Sequence, residues 1–119
     1  MQIPRPSDRD QDYFRSLVPD SPDVEVKPMF GNLGAFVNGN MFAGLYGPQV
    51  GVKLAEADRH QLAAIDGTAP YGPTERPMSG YLSLPAAWRD QPGTAAEWVE
   101  KALTHVRTFP PKVKPARKR

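Results

Sequence analysis

The chain has 119 residues with 39% hydrophobic content, no cysteine and a formal net charge of +2. That length fits one ordinary domain with a core of its own, and the missing cysteines exclude disulfides, thiolate metal sites and a cysteine nucleophile. Five of the 15 basic residues, Lys112, Lys114, Arg117, Lys118 and Arg119, fall in the last eight positions, which leaves ten against 13 acidic residues before them. The body is therefore mildly acidic, which argues against a basic nucleic-acid footprint on its surface.

Residues 1–7, with prolines at positions 4 and 6, are expected to form a flexible arm. Ser7 ahead of Asp8, Asp10 and Asp12 has the chemistry of a helix start, where orphan amides and the macrodipole favour oxygen acceptors and negative charge. Tyr13, Phe14, Leu17 and Val18 supply an apolar stripe at helical spacing, and Pro19 and Pro22 end it. Val24, Val26 and Phe30 alternate with Glu25, Lys27 and Met29 as a half-buried strand, and Pro28 points to a sheet edge or a bulge. Three further strands are predicted over residues 33–37, 41–46 and 50–54. Their turns are Gly31-Asn32, Asn38-Gly39 and Gly47-Pro48, of which Asn-Gly is the strongest hairpin signal. Short turns between consecutive strands predict an antiparallel meander.

Residues 55–65 read as a helix with Leu62 and Ile65 inward and Gly67 as its stop. Residues 67–79 hold three prolines and two glycines and are predicted as a long loop. A short fifth strand over 80–84 follows, then one helical turn over 85–89. A last helix is predicted from Thr94 as cap, with Ala95, Trp98, Val99, Ala102, Val106 and Phe109 on one face. Pro110-Pro111 ends it. The domain therefore covers 8–111, and 112–119 is predicted to be a disordered basic tail.

Several chemistry-bearing groups have ordinary structural explanations. Gly31-x-x-Gly34 lies between two strands, whereas a phosphate cradle opens a helix, so turn or bulge geometry is expected. His60 and His105 are too few for a metal site and are expected at the surface or its boundary. Ser79 and Ser83 lack the context of a nucleophile elbow. No catalytic residue, cofactor or metal is assigned.

Lys53, Arg76, Met78 and Tyr81 are the candidate partner or ligand surface: two cations, an adaptable thioether and a phenol. The bland alternative is a solvated strand lysine, a loop-anchoring arginine and core methionine. The tail cations Lys112, Lys114, Arg117, Lys118 and Arg119 offer weak, salt-dependent, sequence-indifferent contact with nucleic acid, or a solubilising terminus.

Met29-Phe30-Gly31, Gly34, Phe36, Asn38-Gly39, Met41-Phe42 and Lys53-Leu54 occur in an order that resembles the N-terminal domain of the TfoX/Sxy family of bacterial proteins. Arg76-Pro77-Met78, Tyr81, Pro85-Ala86-Ala87-Trp88, Trp98-Val99 and the Arg107-Thr108-Phe109-Pro110-Pro111 exit continue the match, so that it covers roughly residues 8 to 111. The resemblance implies an α+β, two-layer domain. In it an antiparallel sheet of about five strands carries helices on one side, similar to secretion-chaperone-like folds.

The resemblance also implies a homodimer. Longer members carry a second, C-terminal domain and look like regulators of natural competence genes; this sequence corresponds to their first domain. The expected function is a non-enzymatic regulatory or adaptor domain that meets an unknown protein partner, in transcriptional or competence-type regulation. The alternatives are a nucleic-acid accessory protein using the tail, or a small-ligand or enzymatic domain around Lys53, Arg76 and Tyr81. The opening MQIPRPSDRDQDYF lacks the apolar centre of a signal peptide, and no apolar run approaches the ~20 residues that cross a bilayer. A cytoplasmic location with no membrane partner is expected.

Overall fold

A computed structural model describes residues 5–29, 31–73 and 75–111. Most of the predicted arm, Phe30 and the whole basic tail, Lys112, Lys114, Arg117, Lys118 and Arg119, lie outside the described residues.

Helix α1 (Asp8–Leu17) starts as its sequence predicts. Ser7 Oγ accepts from the Asp10 N–H at 3.0 Å, and Asp10 Oδ2 accepts from the Ser7 N–H at 2.9 Å. Each of two otherwise orphaned amides thereby gains a partner. Phe14 and Leu17 are the residues the helix buries.

Four strands follow as a meander: β1 (Val24–Met29), β2 (Asn32–Val37), β3 (Asn40–Tyr46) and β4 (Gln49–Lys53). The Asn38-Gly39 reversal takes φ of 52° and 81°, the pair of positive values a type I′ turn requires. Between β2 and β3 the register shifts at Ala35/Phe36, so that Phe42 is the extra residue of a bulge. Phe42 is fully buried. Pro28 sits in β1 at the edge of the sheet, where its missing N–H costs no interior ladder bond.

After helix α2 (Glu56–Ala63), β5 (Ala69–Pro70) and β6 (Tyr81–Ser83) complete a six-stranded antiparallel sheet in the order β1-β2-β3-β4-β6-β5. The sheet thus holds one strand more than the sequence predicts. Ala69 and Pro70 pair with Ser83 and Leu82 inside the segment expected to be loop throughout. Pro70 gives little sequence signal for a strand, and a two-residue edge pairing tolerates it.

A 3₁₀ turn (Ala86–Asp90) leads into helix α3 (Pro92–Val106). The helix begins at Pro92, two residues before the predicted cap Thr94. Proline suits the first helical position because its missing N–H would have had no partner there. Helix α3 lies across β3 and β4, and α1 packs against α3. Ala95, Val99, Ala102, Leu103 and Val106 of α3 are buried in one cluster with Ala35, Val37, Ala43, Leu45, Val50 and Val52 of the sheet. Tyr13 Oη donates to the Trp88 carbonyl at 3.1 Å, and Arg89 bonds Asp10 at 2.7 Å, tying α1 to the 3₁₀ turn. The result is an α+β, two-layer domain.

Candidate functional site

The strand register fixes what the other face of the sheet looks like. Gly34 pairs with Gly44, Gly44 with Gly51, Gly51 with Ser83, and Ser83 with Ala69. Directly opposed residues share a face. Five small residues therefore form a row across five strands, on the side away from Ala35, Ala43 and Val52.

That row lets another group lie against the backbone. Tyr71, just after β5, places its ring on Gly51 and its hydroxyl over Gly44. A Cβ at Gly51 would collide with the ring, and one at Gly44 would lie 2.5 Å from the hydroxyl. Tyr71 is 3% exposed although it belongs to a segment rich in proline and glycine. Tyr81 approaches it at 5.9 Å between ring centres, and Tyr46 meets it edge-on at 6.3 Å. Tyr81 Oη donates to the Met41 carbonyl at 2.8 Å. Burial pushes the Tyr81 phenol up to about 12. Burial raises Tyr71 too, with Tyr81 and Tyr46 adding to the effect. Both phenols are neutral near pH 7 and act as hydrogen-bonding and packing groups.

Beyond Tyr71 the chain turns back on itself, and the Met78 N–H donates to the Tyr71 carbonyl at 2.8 Å. The loop so closed stands over the sheet and leaves a cleft of about 600 Å³. Met29, Met41, Tyr46, Tyr71, Met78 and Tyr81 line it, with Arg76, Pro77 and Ser79 contributed by the loop. Buried Asn32 also borders it, and its Oδ1 accepts from the Gly47 N–H at 2.8 Å. A smaller hollow of about 270 Å³ shares Met29, Met41, Met78 and Tyr81 and adds Phe36, Lys53 and Phe109. Lys53 Nζ stands 5.4 Å from the Tyr81 ring centre and 5.7 Å from that of Phe109, within cation–π range.

The four residues singled out in the sequence fall around these two hollows. Lys53 and Tyr81 are opposed on β4 and β6. Met78 and Tyr81 border both hollows, Arg76 only the larger and Lys53 only the smaller. Among the described residues neither cation has an acid within ion-pair distance, and no aspartate or glutamate lines either hollow. Of the two histidines, His60 is exposed and His105 packs edge-on against Phe109 at 5.0 Å. Ser83 Oγ donates to the Pro70 carbonyl at 3.3 Å. No cluster of three metal-ligating His, Asp or Glu side chains occurs among the described residues.

Tyr71 and Tyr46 are the site residues that sequence reasoning missed. The available signal was the strand alignment that sets Gly44 against Gly51. Two opposed glycines inside strands call for something large to lie on them.

An open antiparallel sheet with helices on one face and a methionine- and tyrosine-lined cleft on the other defines an α+β, two-layer scaffold. The sequence matches the TfoX N-terminal domain over residues 13–106, and the chain belongs to that family of regulatory-type domains. No curated protein and no solved structure matches the chain. Among the described residues no helix is long and apolar enough to cross a membrane.

Proposed function

We propose that this domain is a non-enzymatic regulatory adaptor in the cytoplasm that works by protein–protein contact, as a homodimer, in transcriptional or competence-type control. The observation that carries this reading is the unequal dressing of the sheet. Helices cover one face and the cleft lies on the other, beside the edge of β1, which is unpaired among the described residues and whose last residue, Met29, borders the cleft. A free strand edge beside an apolar hollow suits a partner that adds main-chain hydrogen bonds and inserts a side chain. Glu25, Lys27 and Pro28 along β1 are exposed. Charges and proline of this kind discourage indiscriminate edge pairing, which favours a selective partner over aggregation. Burial holds Tyr71 and Tyr81 neutral, so they are poor general bases near pH 7.

Affinity capture with the tagged full chain, with and without nuclease and at two salt concentrations, tests the adaptor reading. It predicts a protein partner that survives both treatments. Recovery of nucleic acid alone, lost at higher salt, would instead assign the activity to Lys112, Lys114, Arg117, Lys118 and Arg119. Sedimentation from micromolar to millimolar concentration tests the dimer, and a strictly monomeric mass throughout would remove it.

A further inference from the structure

We infer that the cleft between the second sheet face and the loop from Gly72 to Gly80 binds a small amphipathic carboxylate, with its apolar body among Met29, Met41 and Met78 and its acid group on Arg76. The inference fills the same cleft that the protein-contact reading offers to a partner's side chain, but it needs neither a dimer nor a partner.

Size is the first argument. A hollow of about 600 Å³ lies within the range of roughly 300–1,000 Å³ typical of small-molecule sites. Chemistry of the wall is the second. Three methionines and three tyrosines surround the space, and flexible, polarizable thioethers adapt to an apolar body of variable shape. Tyr71 cannot swing down to fill the space because its ring already rests on Gly51 and Gly44.

Charge selects the head group. Arg76 borders the cleft, Lys53 borders the adjoining hollow, and no acid lines either one or pairs with these cations among the described residues. Lys53 is already held between the Tyr81 and Phe109 rings, whereas Arg76 is exposed and offers its planar fork of donors to a carboxylate. Lys53 adds positive potential from one side.

The test is calorimetric titration of the full chain with octanoate, 1-octanol and octylammonium, which share a tail and differ in head group. Octanoate is expected to saturate at one per chain, with 1-octanol weaker by about tenfold, the scale of one charge-assisted hydrogen bond, and octylammonium weaker still. Arg76→Gln should bring octanoate down to the level of 1-octanol. Arg15→Gln, on exposed α1 surface, should leave it unchanged. Ser79→Trp, at an exposed position of the loop, should block all binding while the thermal unfolding of the variant stays cooperative. Equal binding of octanoate and 1-octanol would overturn the inference, as would indifference to Arg76→Gln or an absence of saturable octanoate binding by the wild-type chain.

Discussion

The helix-covered face of the sheet and the opposite face are made by the same strands through opposite means. On the first, Ala35, Val37, Ala43, Leu45, Val50 and Val52 are buried in one cluster with the apolar stripe of α3, and exclusion of water is nearly complete. On the second, glycines remove side chains along a row, one tyrosine is laid into the space, and a loop stands over what is left. The first arrangement supplies stability. The second gives up packing to create a cleft. A packed core and an open cleft are thus divided between two sides of one sheet only a backbone thick.

That division makes the largest effect easy to name. Phe42→Ala, which empties a fully buried position, should lower unfolding free energy by about 3–5 kcal/mol, read as a shifted urea midpoint at constant slope. On the second face Gly51→Ala should cost less, about 1–3 kcal/mol, because its new methyl meets the Tyr71 ring. The cause is separable by a double-mutant cycle, since most of that cost should vanish in a Tyr71→Ala background. A glycine substitution that costs more than Phe42→Ala would reverse the ranking of the two faces.

Titration sharpens the same contrast. Burial raises Tyr71 and Tyr81 above the ordinary phenol value of 10.0, so the unfolded chain ionises these groups first. Their contribution is full below that value and is lost as pH rises through the folded values. Urea midpoints should therefore fall from pH 9 to pH 11, and less steeply in Tyr71→Phe. On the helix side burial opposes ionisation of Asp10. Hydrogen bonds from the Ser7 backbone, Arg89 and the Ser7 side chain outweigh it and hold the carboxyl below the usual carboxylate range. Its contribution is present above the unfolded value of 3.8 and lost as pH falls through the folded one. Asp10→Asn should cost about 1 kcal/mol at neutral pH, and the gap to wild type should close in acid. The smallest effect belongs to Arg76→Gln, which should change stability by no more than about 0.5 kcal/mol.

Local signals carried much of the fold. Ser7 before three acids marked α1, Asn38-Gly39 marked a hairpin, and the spacing of Trp98, Val99, Ala102 and Val106 marked the buried stripe of α3. Each is a property of a few adjacent residues. Strand β5 and the role of Tyr71 were not legible for the complementary reason. Ala69 and Pro70 form a strand only because β6 is there to pair with them, and Tyr71 is buried only because Gly44 and Gly51 come into register. The start of α3 was misread because Thr94 is a good cap in isolation, while Pro92 is a better first helical residue. For the site, Lys53, Arg76, Met78 and Tyr81 could be picked out by type, but their distribution over two adjoining hollows depends on the closed loop.

The measurement that tests the division of faces most directly is a methyl-resolved NMR map of the full chain titrated with octanoate. The account predicts saturable shifts at the Met29, Met41 and Met78 methyl groups, with Val99, Leu103 and Val106 on the helix face unmoved. Shifts concentrated on the helix face, or saturation that leaves the three methionines unaffected, would contradict it.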